Sequence, residues 1–323
     1  MMTLLDGART AVSTCLGVKR GEHALVLTDI VKREIGEALF EAMVEQGAEA
    51  MLLVMRPRTR HGEEPPDPVA ATMKEVDVIV APTEYSISHT QARKKATDAG
   101  ARIATMPTIT TEMMSEGGMT ADFHEVRRLV RRTHRKASRL REVTITTDLG
   151  TDLTLKLGRR KWIEDTGLLR RRGDFGNLPA GEIFIAPLEG KANGTLVVDG
   201  SFSSIGTLDR PITIKVVDGF AERISGGNSA RKLRALLKKQ EANVEDPMLP
   251  YNIAEFGIGL NPNARIIGNP LEDEKVMGTI HIALGDNSTF GGRIRAGIHL
   301  DGIITSPTVT GGDLTLMLNG EIR

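Results

Sequence analysis

The sequence predicts an α/β N-terminal domain with a mainly parallel sheet, followed by a β-rich α+β domain. Three observations carry this. In the first half, short apolar runs alternate with segments of helical periodicity, the pattern of a parallel sheet covered on both faces. From Val143 onward, polar and apolar residues alternate about glycine-containing turns, the pattern of antiparallel hairpins. The chain, at 323 residues, also exceeds the usual size of one domain. The boundary is placed after Glu142, giving domains 1–142 and 143–323.

Residues 3–18 read as a helix, and "HALVLTD" (His23 to Asp29) as a buried strand. In the next segment Ile35, Leu39, Phe40 and Met43 fall at helical spacing, with Gly47 as the stop. "AEAMLLVM" is a second strand. The proline-containing loop "RPRTRHGEEPPDP" and a short helix lead to "VDVIVAPT", the third. "SHTQARKKATDAG" is a helix and "ARIATMP" the fourth strand. Strand one is followed by "LTDIVKREIG", with Asp29 where a dinucleotide-binding turn needs closely spaced glycines, so NAD is not expected. Ala121 to Glu142 reads as a long basic helix with Val126, Leu129, Val130, Thr133 and Ala137 as its apolar stripe and the arginines solvated. "RRR" at Arg170–Arg172 is read likewise, with contact to an acidic group worth testing. "VTITTDLGTDLTLKLG" is a hairpin; "EIFIAP", "GTLVVDGSF", "PITIKVVDGF", "RIIG" and "GTIHIALG" are further strands, and "NSARKLRALLKKQEA" is a helix. No internal repeat or low-complexity segment is present.

Composition narrows the function classes. Lys+Arg and Asp+Glu both total 42, so overall charge gives no reason to expect nucleic acid or an anionic membrane as partner. Only 3% of residues are aromatic, so the core must be aliphatic. One cysteine, Cys15, excludes an intrachain disulfide and a cysteine-rich metal site. The N-terminus lacks a basic region followed by an apolar block, and no run of about 18 apolar residues occurs, so a cytoplasmic protein is expected.

Two of the seven histidines stand in apolar strand-like runs, "GTIHIALGDN" and "AGIHLDGII". His299 and Asp301 are two apart on one strand, so both project to one face about 7 Å apart at Cα. His281 is flanked by Ile280 and Ile282, which face the other way. Glu182 opens a strand after a turn built from Asn177, Pro179 and Gly181, and Glu255 lies among apolar and glycine residues. A carboxylate in such surroundings is costly without a cation or donor. Two histidines, an aspartate and two glutamates suffice for one or two divalent ions, which makes the second domain the expected metal-binding, catalytic one. His23, His61, His89, His124 and His134 lack such pairing and read as structural or surface residues.

"NLPAGEIFIAP", "AEFGIGLNPNA", "EDEKVMGTIHIALGDN" and "IHLDGII", in this order over roughly residues 170–305, resemble the thermophilic aminopeptidase T (leucyl aminopeptidase T) metallopeptidase family, of which the chain would be a short, divergent member. The resemblance implies a homodimeric exopeptidase acting on small peptides through a metal-activated water, with two divalent ions (cobalt, zinc or manganese). It implies Glu182, Glu255, His281, His299 and Asp301 as ligands. Glu182 or Glu274 would shuttle the proton. The peptidases carry a tyrosine shortly after the "HIALG" histidine; this chain reads "GDNSTFGG", leaving Asn287 or Ser288 to donate to the oxyanion. The 2,5-dihydroxypyridine 5,6-dioxygenases share the architecture. Under that resemblance His281, His299 and Asp301 would hold one Fe(II) for ring cleavage of a small-molecule substrate. A member that binds without turnover is the third alternative.

Overall fold

Five parallel strands form the first sheet, in the order Glu49–Met55, His23–Asp29, Val78–Thr83, Arg102–Pro107 and Phe175–Asn177. The computed structural model describes residues 2–323. The sheet is parallel because helices return the chain between its strands: Arg33–Glu45, Asp67–Thr72 and Gln91–Ala99. Local chemistry sets their ends. The Thr90 hydroxyl caps the last of them by accepting from Arg93 N, and Gly100 at φ 108° closes it in the left-handed region. Buried Leu25, Leu27, Ile79 and Ile103 make the aliphatic core that the composition required. Asp29 ends the first strand, buried, with Oδ1 accepting from Val31 N and Lys32 N and Oδ2 from Glu84 N. Its carboxylate thus closes the turn where a phosphate cradle would lie.

Two antiparallel sheets follow. One has eight strands, running from Phe220–Ser225 through the hairpin Glu142–Thr146/Asp152–Lys156 to Glu321–Ile322. The other has seven, in the order Gly206–Thr207, Ser201–Phe202, His299–Thr305, Thr279–Gly285, Ile253–Gly259, Glu182–Ile185 and Ile163–Asp165. The parallel α/β part followed by antiparallel β-rich parts is the architecture expected.

The chain divides into two compact units, residues 1–127 with 165–181 and 262–264, and residues 128–164 with 182–261 and 265–323. This differs from a single boundary after Glu142: the cut falls inside the helix Phe123–Ala137, and the chain returns to the first unit to supply the fifth parallel strand. Other expectations need correction. The first helix is α-helical only over Leu4–Arg9 and continues as a π-helix over Thr10–Cys15, where Leu16 N reaches back to Ala11 O. "RIIG" is not a strand. Its amides bond to side chains instead, Ile267 N and Gly268 N to the Asp273 carboxylate and Arg265 N to Glu272. The basic helix is shorter than expected, but its Val126, Val130, Thr133 and Ala137 are buried as anticipated. Of the "RRR" run, Arg172 comes within 3.9 Å of Asp77, while Arg170 donates to the Thr14 carbonyl. Among the described residues no helix is long and apolar enough to cross a membrane.

Candidate metal centre

Strand pairing assembles the site on one face of the seven-stranded sheet. Gly257 pairs with both His281 and Phe184, Ala283 with Asp301, Gly285 with His299, and Gly259 with Glu182. Directly paired residues share a face and alternate residues return to it, so Glu182, Glu255, His281, His299 and Asp301 all project the same way. Between them the face carries Gly257, Gly259, Ala283 and Gly285, a floor of small residues over which the large polar side chains can lie. The other face carries Ile183, Ile185, Phe256, Ile258, Ile280, Ile282 and Ile304, all buried. Each contributes about 1.5–3 kcal/mol of apolar burial. A strongly apolar face thus anchors a polar one.

The polar side chains converge. His281 Nε2 lies 3.2 Å from Glu255 Oε1 and 3.4 Å from Glu182 Oε2. His299 Nε2 lies 3.2 Å from Asp301 Oδ1 and 3.4 Å from Glu255 Oε2. Ligand atoms of Glu255, His281 and Asp301 all fall within 4.8 Å of one another. Asp301 is held from outside, its backbone N–H donating to Ser203 Oγ and its Oδ2 accepting from that hydroxyl. His299 Nδ1 stands 2.7 Å from the Asp286 carbonyl. A carbonyl only accepts, so Nδ1 carries the proton and Nε2 is left facing the carboxylates.

That tautomer tests the site for an ion. A neutral His299 would aim the Nε2 lone pair at two carboxylate oxygens, an arrangement that needs either a proton or a metal between them. Glu182 Oε2 and His281 Nδ1 are buried without a hydrogen-bond partner. The donor set of imidazole nitrogens and carboxylate oxygens suits a divalent transition metal. The same carboxylates favour protonated imidazoles. Burial pulls His281 down, but its hydrogen bond to Glu255 and the charge of Glu182 carry it up to about 9. Burial opposes His299 too, and Asp301 raises it well above its ordinary value. Asp301 and Glu255 are pushed up by burial and pulled further down by the imidazoles, ending below the usual carboxylate range. The residues fit a metal.

Glu274 and Lys275 complete the cluster. Lys275 is 1% exposed, and its Nζ donates to Glu182 Oε1 at 2.7 Å and to Glu274 Oε2 at 2.8 Å. Burial raises the Glu274 carboxyl to about 8 against the charge of Lys275. The expected residues Glu182, Glu255, Glu274, His281, His299 and Asp301 are therefore brought together. Asn287 and Ser288 are not placed for an oxyanion role. Asn287 Nδ2 donates to Glu189 and its Oδ1 accepts from Ile294 N, while Ser288 Oγ donates to Asp286, so Asn287 ties its loop to Glu189 and Ser288 shapes its own turn. Asp286, which accepts from Ser288, Ala296 and Gly297 through its carboxylate and from His299 through its carbonyl, is not among the residues the sequence singles out, although "GDNS" is a turn signal. Lys275, Ser203 and Gly257 carried no sequence signal.

Known proteins extend the geometry. A 2,5-dihydroxypyridine 5,6-dioxygenase of Pseudomonas putida KT2440 is 27% identical over 199 residues, covering 56% of this chain and 54% of its own, so the match spans about half the length of that relative. The solved structure of 2,5-dihydroxypyridine dioxygenase from the same strain superposes with a TM-score of 0.83 at 20% identity, over 99% of this chain and 96% of that one. Wild-type AmpT from Thermus thermophilus gives 0.73 at 17% identity, over 99% and 98%. At such identities these likenesses show the shared two-domain fold. The family model described as NicX, 2,5-dihydroxypyridine 5,6-dioxygenase, matches residues 4–323. This match and the curated relative overturn the expected aminopeptidase, and with it the reading as hydrolase and protease. The likeness to the peptidases lies in the fold; by sequence, the chain belongs to the 2,5-dihydroxypyridine 5,6-dioxygenase family.

Proposed function

We propose that this chain is a ring-opening dioxygenase for a 2,5-dihydroxypyridine-type substrate, using one ferrous ion held by His281, His299 and Asp301 with Glu255 beside them. The observation that carries the reading is the convergence of two imidazole Nε2 atoms on the two oxygens of the Glu255 carboxylate, at 3.2 and 3.4 Å, with Asp301 at 3.2 Å from His299 Nε2 and His299 Nδ1 fixed by the Asp286 carbonyl. Two imidazoles and a carboxylate are the ligand set of non-haem iron oxygenases. The ion would supply dioxygen activation and a chelation point for the oxygens of the ring.

The chain's own residues prepare the rest. Asp286 and Ser203 hold His299 and Asp301 in place from outside, which fixes orientation before any substrate arrives. Phe290 meets the His299 ring edge-on at 5.7 Å and Phe184 at the same distance. These half-buried aromatic edges offer an apolar flank to a planar ring.

The test is oxygen uptake. Protein freed of metal and loaded anaerobically with Fe(II) should consume dioxygen on addition of 2,5-dihydroxypyridine, and His299→Ala should reduce the rate by ~100-fold or more. No uptake by the loaded wild-type chain across a hydroxypyridine panel would overturn the assignment.

A further inference from the structure

Three carboxylates project from one sheet face and Glu274 joins them from the end of the short helix Pro270–Asp273, more than a single ion with two histidine ligands requires. Glu182, Glu255, Glu274 and Asp301 with His281 and His299 have the composition of a two-ion site, in which bridging carboxylates and two clusters of terminal ligands hold a pair of cations. The structure divides them unequally. On one side Glu255, His281 and Asp301 bring ligand atoms within 4.8 Å of one another, with His299 Nε2 at 3.2 Å from Asp301. On the other side Lys275 Nζ lies between Glu182 Oε1 at 2.7 Å and Glu274 Oε2 at 2.8 Å.

We infer that Lys275 is a built-in substitute for a second metal ion and limits the centre to one. Lys275 is buried, and its backbone is pinned on both sides, its N–H donating to Glu272 O and its carbonyl accepting from Asn261 N. An ammonium tethered there by a fixed backbone cannot exchange with solvent as a metal does. Glu182 then links the two halves, Oε1 accepting from the ammonium and Oε2 facing His281 Nε2 at 3.4 Å. Two carboxylates this close in a buried setting need a cation between them. Supplying it from the chain leaves only the histidine side open to exchange. Removing it leaves a pair of oxygen ligands beside a bound ion, which is the arrangement that recruits a second.

The inference rests on the proposed metal centre but not on the reaction assigned to it. Mn(II) is the probe, added to the metal-free chain, with ions counted by elemental analysis after desalting and by the paramagnetic resonance spectrum. The wild-type chain should hold one Mn(II) with the spectrum of an isolated ion. Lys275→Ala should hold two, with the spectrum of an exchange-coupled pair, and Lys275→Ser, which leaves similar room, serves should the alanine variant fail to fold. Two ions in the wild-type chain would overturn the role of Lys275 while leaving the metal centre standing. One ion in folded Lys275→Ala and Lys275→Ser would also overturn it. No ion in the wild-type chain would remove the metal centre and this inference together.

Discussion

A Cβ built on Gly257 would stand 1.9 Å from His281 Nε2 and 2.0 Å from its Cε1. No real contact is that short, so the imidazole lies across this position only because nothing projects from it. Gly257→Ala should therefore push His281 out of the cluster while leaving the strand hydrogen bonds in place. The expected result is a 10–100-fold loss of Mn(II) affinity by titration, the range for disturbing a ligand's support, with an unchanged far-ultraviolet circular dichroism spectrum. Unchanged affinity would mean that His281 is not a ligand. The histidines and acids of the site were legible because charge inside an apolar run is costly and stands out. Gly257 and Lys275 were not, because their importance comes from cross-strand pairing and from a side chain meeting residues 93 positions away, which no local pattern records.

The first four strands of the first unit and the helices between them were readable from periodicity alone, since buried parallel strands and amphipathic helices each have a distinct rhythm. Legibility failed where side chains replace the backbone ladder, as Asp273 and Glu272 do for residues 265–268. A similar device joins elements in the first unit. Arg102 opens the fourth parallel strand, is 5% exposed, and donates to the carbonyls of Leu16 and Gly17 as well as to both oxygens of Glu22. Glu22→Gln would leave a buried guanidinium without its counter-charge and should cost about 3 kcal/mol in denaturant unfolding, the lower end for breaking such a pair. The sign with pH follows from Glu22. Burial raises its carboxyl, the Arg102 hydrogen bond lowers it further, and the net position is below the usual value. The pair's contribution is full above the unfolded carboxylate value of about 4.3 and is lost as pH falls through the lower folded value. The stability gap between wild type and Glu22→Gln should therefore be constant near neutrality and close in acid. A gap that widens below pH ~4 would contradict it.

At the scale of the whole molecule, the domain order was legible but the path of the chain was not, because residues 165–181 and 262–264 return to the first unit without any change of composition to announce it. One consequence can be measured. Every residue of the cluster lies in the second unit, and so does Trp162, the chain's single tryptophan, packed edge-on against Phe256 at 5.4 Å on the apolar side of the same sheet. Trp162 fluorescence therefore follows the unfolding of the unit that holds the centre. A ligand that binds only the folded state stabilises it by about 4 kcal/mol at a thousandfold excess over Kd. For a unit of this size that corresponds to a rise of roughly 10 °C in midpoint. Chelator-treated protein should thus lose its tryptophan signal roughly 10 °C earlier than protein with saturating Mn(II), and His281→Ala should abolish the difference. Because the proposed ligands all belong to the second unit, a calorimetric scan that resolves two transitions should show only the one that coincides with the tryptophan signal moving. If the tryptophan midpoint stays fixed while the other transition moves, the ion is bound elsewhere, and the cluster on the sheet is not the metal centre.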